Sequence, residues 1–471
     1  MRGTEASYLA LRHPSNGIWA ASGTHSRLVF EYLDVSGFGG NSTSGGIGIQ
    51  AGGDRVRISH VIADDRQSGV SMASYTNLTV EDLRARYAYT GGLVLATTTL
   101  SNNTTTPNTL TLSGLQLTGS QYGLTLTGIK SVAGADAAEL VIDATVLTNV
   151  ADNAAAIHLT DQHEAVRITN LTLATPSYGI YAPGSSNKGL VFDNLVLSGA
   201  GYGTGLYLRG TNHKLRAITA KRRTTGVDTD GGGLEVNYTT GGVPDTTTLE
   251  ADGCVTGLLI GGVTATSTPP KLANLVLTNN GTGLFFNGMN PAAGAAYTFG
   301  PAAYATGPYP TGGVRTALEP NFTGCETALA FQNASNTTVQ FLTLDHPTYG
   351  IDATRNGNSS SLVFQDLVLS GKGLGAGLGV TGNNHRIQRV TADDRYQGVY
   401  AQSAGNLQID TLTARRSSYG LYLANFGAAL TVPTLKNLTL TDDNVGLYLT
   451  SVAAPVILGP AAYAASCSTV P

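Results

Sequence analysis

Apolar residues recur along the chain in a short phrase: Gly, an aliphatic residue, any residue, then usually another apolar one. It reads GIWA at Gly17, GVSM at Gly69, GLTL at Gly123, GIYA at Gly179 and GLYL at Gly205. It continues as GLLI at Gly257, GLFF at Gly283, GVYA at Gly398, and GLYL at Gly420 and Gly446, mostly 21 to 32 residues apart. With looser copies such as AIHL at Ala156 and ALAF at Ala328, the count reaches about 18 units. Between the copies lie alternating segments, VRISHVIA (56–63), NLTVEDLRA (77–85), VRITNLTLA (166–174) and NLQIDTLTA (406–414). Period-two alternation with β-branched residues predicts strands, and no segment sustains a helical period. Each unit is therefore two or three short strands joined by Gly, Asn and Ser turns. A unit that small cannot bury its own apolar face, so it must stack on the next as a solenoid. The two apolar places of the phrase then face the core and the residue between them faces outward. The leading Gly is expected to supply a positive φ at a sharp turn.

A longer repeat is laid over the short one. LRHPSNGIWA (11–20), LATPSYGIYA (173–182) and LDHPTYGIDA (344–353) are each followed by a second phrase, LVFEYLDVSG (28–37), LVFDNLVLSG (190–199) and LVFQDLVLSG (362–371). Three modules result, at about 8–172, 173–343 and 344–471, with Pro14, Pro176 and Pro347 at the same turn of each. Residues 289–315, rich in Pro, Ala, Gly and Tyr, are expected to project as a loop. The stretch AKRRTTGVDTDGGGLEV (220–236) reads as too short for a full coil.

The expected fold is all-β: one continuous right-handed parallel β-helix over 1–471, of about 18 coils in three super-repeats. Parallel crossovers are right-handed by default, and coils about 4.8 Å apart would make a rod about 85 Å long. The spacing and the phrase N-x-x-x-x-x-G-[ILV] resemble the right-handed parallel β-helix repeat proteins of the pectin-lyase-like superfamily over nearly the whole chain. That resemblance implies the fold. It leaves function open, because the superfamily hosts lyases, hydrolases, epimerases, phage tailspikes, adhesins and non-catalytic surface proteins.

Composition narrows the partners. Charged residues are 12% and hydrophobic ones 41%, with 60 Gly, which suits a packed core rather than a disordered chain. A net charge of −4 gives no basic stripe, so no nucleic-acid partner is expected. No run of 18 apolar residues and no cationic leader is present, so no transmembrane segment or signal peptide is expected in this sequence. An extracellular or cell-surface location, as a processed product or a fragment, is the expectation. The three cysteines are too few for a disulfide scaffold. Cys254 in DGCVTG and Cys325 in TGCETA share a column about 9.6 Å apart, beyond the roughly 7 Å reach of a disulfide, and should be free, half-buried thiols. Cys467 lies near the end.

Candidate chemistry is sparse. Asp64-Asp65-Arg66 and Asp393-Asp394-Arg395 place paired carboxylates beside a cation, as calcium binding or proton abstraction from a uronic acid would require. The middle module has Lys221-Arg222-Arg223 instead, and the Gly-His-Gly and Asn-Thr-Asp motifs of polygalacturonases are absent. A solvated turn with local ion pairs is the preferred reading, so no catalytic residue is assigned. Asn212-His213 and Asn384-His385 correspond, with Gly53-Asp54 in the first module, and read as turn histidines. Asp228-Thr229-Asp230-Gly231 hints at a calcium loop but lacks the later acidic ligands, so neither metal nor cofactor is expected. The outward place of the short phrase holds Trp19, Tyr181, Tyr207, Phe285, Tyr400, Tyr422 and Tyr448. Tyr400, Tyr422 and Tyr448 fall on successive units and should form a ladder, either stiffening the sheet or offering a flat face to sugars or a neighbouring rod. Asn-x-Ser/Thr sequons at Asn41, Asn77, Asn170, Asn237, Asn280, Asn321, Asn336, Asn358 and Asn437 are read mainly as turn chemistry.

The functional expectation is a non-catalytic extracellular structural or adhesive rod. Its partners would be itself, by head-to-tail or lateral contact into a filament, sheath or layer, and a polysaccharide. The alternatives are a carbohydrate-active enzyme, namely a polysaccharide lyase, epimerase or hydrolase, or a phage or bacterial receptor-binding spike.

Overall fold

The computed structural model describes residues 9–12, 15–20, 27–37, 46–96, 99–100, 110–131, 138–143, 155–160, 166–174, 177–199, 202–237, 247–293, 296–300, 320–345, 349–355, 359–427, 430, 433–453 and 456–458. Pro14, Pro176, Pro347, Asn41, Asn358, Cys467 and most of the expected loop at 289–315 lie outside them. Among the described residues there is no α-helix, and the strands pair in parallel. The chain divides into two compact units, Met1–Thr229 with Leu234–Thr247, and Asp230–Gly233 with Thr248–Pro471.

In the first unit the glycine phrases form a ladder of nine strands: Ile18–Trp19, Ile47–Asp54, Ser68–Thr76, Gly91–Ala96, Tyr122–Thr127, Ala155–Thr160, Tyr178–Ala182, Thr204–Leu208 and Thr225–Asp230. In the second unit the ladder has eight: Thr256–Gly261, Thr282–Asn287, Thr327–Gln332, Tyr349–Arg355, the later half of Val363–Thr381, Arg386–Gln402, Tyr419–Ala424 and Val445–Thr450. The described residues therefore carry somewhat fewer coils than the sequence count of about 18. Thr225–Asp230 lies inside the stretch expected to be too short for a full coil. Buried Thr229 there takes the place of the second apolar residue, which hid the phrase.

The inward column of the first ladder, Ile49, Val70, Leu93, Leu124, Ile157, Ile180, Leu206 and Val227, is fully buried. Burying each such side chain contributes about 2 kcal/mol. The glycine that precedes it has a different cause from the one expected. Gly48, Gly179, Gly205 and Gly398 do not have positive φ. A Cβ on Gly179 would instead lie 2.5 Å from the carbonyl oxygen of Gly205, and one on Gly398 2.5 Å from that of Gly420. Glycine is required by the close approach of one coil to the next.

Positive φ belongs to the corner of the other row. Tyr32, His60, Asp82 and Gly114 occupy one register column there, as do Asn170, Asn194 and Ala217, all with φ between 50° and 61°. Asn tolerates this conformation best, which explains the recurring Asn-Leu. The Asn194 amide donates to the Asn170 side-chain oxygen at 2.7 Å, so one corner braces the next.

A second corner is closed by arginine. In Asp64-Asp65-Arg66, Lys221-Arg222-Arg223 and Asp393-Asp394-Arg395, the middle residue has φ of 56°, 50° and 58°. Each arginine is turned inward and 1–2% exposed. Arg66 donates to the carbonyls of Val35 (2.7 Å), Ser36 (3.1 Å) and Ser15. Arg223 donates to Ser198 and Ser177, and Arg395 to Ser370. Those serines belong to the two long phrases: Ser36, Ser198 and Ser370 precede the closing glycine, and Ser15 and Ser177 follow the proline. The glycine is part of the contact, since a Cβ on Gly199 would sit 2.6 Å from Nε of Arg223. Burial lowers Arg395 to about 10, still a cation at neutral pH.

His213 and His385 are also buried. The backbone N–H of Leu190 donates to Nδ1 of His213 at 3.3 Å, so Nε2 carries the proton and donates to the Arg209 carbonyl at 3.2 Å. Leu362 and Thr381 serve His385 in the same way. Corresponding backbone bonds, Arg57 to Leu28, Lys214 to Leu190 and Arg386 to Leu362, align these histidines with Val56 rather than with Gly53-Asp54. Among the described residues Cys254 and Cys325 are in no disulfide, as expected, but they are buried rather than half-buried. Cys325 donates to the Leu277 carbonyl at 2.8 Å, and burial pushes its thiol up to about 11. Asn280 is buried too, its amide donating to Ala251 and its oxygen accepting from the Cys254 N–H, which removes it as a glycan acceptor in the folded chain.

Two stability outcomes follow. Burial holds both imidazoles near pH 4 against about 6.5 in the unfolded chain. The unfolded state takes up these protons first, so stability should fall between pH 6.5 and about 4, by about 3 kcal/mol per histidine. Urea midpoints against pH, with imidazole NMR titration, check this. Arg66→Met would leave three carbonyls, that of Val35 buried and those of Ser15 and Ser36 partly so, without their donor and should cost about 3 kcal/mol in chemical unfolding, whereas Asp65→Asn should shift stability by less than about 0.5 kcal/mol.

Candidate functional site

The aspartates of the recurring motif are occupied by arginines one coil further on. Asp64, nearly buried, accepts from Arg86 at 2.7 Å and from the Arg86 N–H at 3.0 Å, with Arg84 at 3.0 Å. In the second unit Asp394 accepts from Arg416 at 2.8 Å, and Asp393 lies 3.7 Å from the same guanidinium. The paired carboxylates therefore neutralise neighbouring cations at a turn. Among the described residues no group of three or more His, Cys, Asp or Glu is placed to hold a metal. Asp228 of the supposed calcium loop points outward from a strand and is paired with Arg209 at 2.9 Å.

The aromatic residues are brought together as two strips. In the first unit the outward column runs Trp19, Gln50, Ser71, Val94, Thr125, His158, Tyr181, Tyr207 and Asp228. His158 and Tyr181 stack at 5.5 Å, and Tyr181 and Tyr207 at 5.0 Å. Arg209 covers the Tyr207 ring at 4.0 Å and closes the strip against Asp228. Trp19, 67% exposed, has Gln50 as its register partner and stands outside the strip.

In the second unit the column runs Leu259, Phe285, Ala330, Asp352, Gly379, Tyr400, Tyr422 and Tyr448. Tyr400 and Tyr422 lie 5.3 Å apart, and Tyr422 and Tyr448 4.9 Å, as the sequence ladder anticipated. Phe285 is separate, under Arg355 at 5.1 Å.

Sequence reasoning missed half of each strip. Tyr178, Tyr349 and Tyr419 precede the phrase glycine and also face outward, because the two residues that follow both turn inward. Tyr178 packs on Tyr181 at 4.7 Å, and Tyr419 on Tyr448 at 5.1 Å. Tyr349 lies beside Gly379, where a Cβ would meet its ring at 3.5 Å, so it fills the place of the missing side chain. Tyr396 extends the second strip, 5.5 Å from Tyr419 and 42% exposed. The signal was present as Tyr-Gly-φ-Tyr in YGIYA and YGLYL. Burial raises the phenols of Tyr178 and Tyr400 above their ordinary range, so they stack as neutral rings. A shallow cleft in the first unit, lined by Arg167, Asn170, Asp193, Asn194, Arg216 and Thr247, is polar, and Arg216 is held by Asp193 at 2.9 Å.

No family model matches the chain, and no curated protein matches it. Among solved structures it is similar to the A-module of mannuronan C-5 epimerase AlgE4 from Azotobacter vinelandii, at 12% identity and a TM-score of 0.23, over 88% of this chain and 89% of that one. The AlgE6 A-module from the same organism aligns at 12% identity and a TM-score of 0.15, over 93% and 89%. At such scores the class of this chain rests on its own strand pairing. Two ladders of parallel strands, each coil bonded to the next with its apolar residues turned inward, make the chain a parallel β-helix protein.

Proposed function

We propose that this protein is a non-catalytic structural or adhesive β-helix that acts outside the cell and holds a polysaccharide along its tyrosine strips. The observation that supports this reading is the second strip. It offers phenol rings 4.9–5.3 Å apart on successive coils, half-buried at Tyr400 and Tyr422 and 38% exposed at Tyr448. Rings held in a row offer sugar rings a run of apolar carbon bordered by hydroxyls. The competing enzymatic reading draws its candidates from Asp64, Asp65, Asp393 and Asp394. Asp64 and Asp394 are bound to arginines, and Asp393 lies beside one, as a turn requires.

Self-association is a second reading, favoured by the strand Val445–Thr450. Among the described residues it pairs on one edge only, with Tyr419–Ala424, and its inward Leu449 is 43% exposed. A second copy stacked on that edge would cover the leucine.

Affinity electrophoresis against neutral and uronic-acid polysaccharides should retard the protein. Tyr422→Ala should weaken binding about tenfold, roughly 1.4 kcal/mol, and Tyr422→Phe much less. Release of an unsaturated or epimerised product, abolished by Asp64→Asn, would replace this reading with the enzymatic one. In sedimentation velocity the average mass should rise with concentration, and Leu449→Lys should suppress the rise; a wild-type protein that stays monomeric would remove the assembly reading.

A further inference from the structure

We propose that the second tyrosine strip is a site of oxidative coupling, at which a peroxidase with hydrogen peroxide joins Tyr422 to Tyr448 as dityrosine and so staples one coil to the next. This chemistry is independent of polysaccharide binding. Three features on one surface support it. The centroids of the two rings lie 4.9 Å apart with their planes inclined by 36°, so the two rings are already neighbours before any oxidant arrives. Tyr419 lies 5.1 Å from Tyr448 and 5.3 Å from Tyr422, and Tyr400 lies 5.3 Å from Tyr422, so a radical on any of these rings has a neighbour at once. Tyr448 and Tyr396, at 38% and 42% exposed, are open to an oxidant at the surface.

The step balances. Each phenol gives up one electron and one proton, so hydrogen peroxide accepts two electrons and two protons and becomes two waters. The two phenoxyl radicals couple through one ortho carbon each, forming a C–C bond. Each ortho carbon then loses its hydrogen as a proton, each oxygen regains one, and both rings return to phenols. The product is two hydrogen atoms lighter. Coupling within the strip outruns coupling between molecules because the partner ring is already in place.

Exposure alone predicts a different product. Tyr202, at 74%, is the most exposed tyrosine among the described residues, and no described ring stacks on it. The experiment therefore sets geometry against exposure. Dilute folded protein is treated with peroxidase and hydrogen peroxide, the monomer is isolated, and tryptic peptides are mapped. Cleavage after Arg416 and Lys436 puts Tyr419 and Tyr422 in the peptide 417–436 and Tyr448 in 437–471, where fragmentation distinguishes it from Tyr463. The expected result is a joined pair of these peptides, two hydrogen atoms light, linked at Tyr448. Tyr448→Phe should lower its yield at least fivefold, Tyr202→Phe should leave it unchanged, and protein unfolded in guanidinium should show no preference for it. Because the link closes a loop between residues 26 apart, the stapled monomer should melt several degrees higher. A product dominated by Tyr202-linked dimers, or a 417–436/437–471 link equally abundant in unfolded chains or undiminished by Tyr448→Phe, overturns the proposal.

Discussion

A guanidinium buried beneath a corner sets the register on which the rest of this solenoid depends. Arg66 gathers carbonyl oxygens from Ser15, Val35 and Ser36, Arg223 from Ser177 and Ser198, and Arg395 from Ser370. The carbonyls that meet at this corner take donors from outside their own ladder, and leaving a buried one such as that of Val35 bare would cost about 1–3 kcal/mol. Arginine answers with several donors in a fixed fork, which lysine could not supply at those angles. The left-handed residue before it aims the side chain inward. The Ser-Gly before the earlier corner leaves room for it. A requirement that spans two coils recurs only where all its parts recur, and this is the physical content of the long repeat.

The same corner explains why the neighbouring charges vary. Asp64 is paired with two arginines of the next coil, whereas Lys221 occupies that place in the middle module. These residues stand at the rim, where the local ion pair sets the sign of the charge. The module repeat therefore conserves one piece of polar chemistry, the inward arginine, along with the apolar and glycine positions. Attention to the carboxylates, which differ between copies, hides the guanidinium, which does not.

The tyrosine strips stand on what the corner holds. Register between coils determines whether outward residues at equal places become neighbours, and a slip of one residue would turn each ring into the core. With register fixed, Tyr181 lies on Tyr207 and Tyr422 on Tyr448. The tyrosines that precede the glycines add a second line of rings, because Tyr-Gly-φ-Tyr puts two side chains on one surface.

The amino-acid sequence determined the coil, its parallel stacking, the inward aliphatic column and the outward aromatic places, because each depends on alternation within a few residues. It also contained the arginine, as the charged position unchanged in three copies, and the extra tyrosines, as YGIYA and YGLYL. Only the tertiary structure decided what those residues touch. Whether Gly179 turns the chain or admits a neighbouring carbonyl, whether Asn280 and His213 face solvent or core, and whether Asp64 is free or paired all depend on atoms some 20 to 30 residues away. Stacking makes those atoms adjacent, and the distances between coils, which no local pattern encodes, fix the contacts.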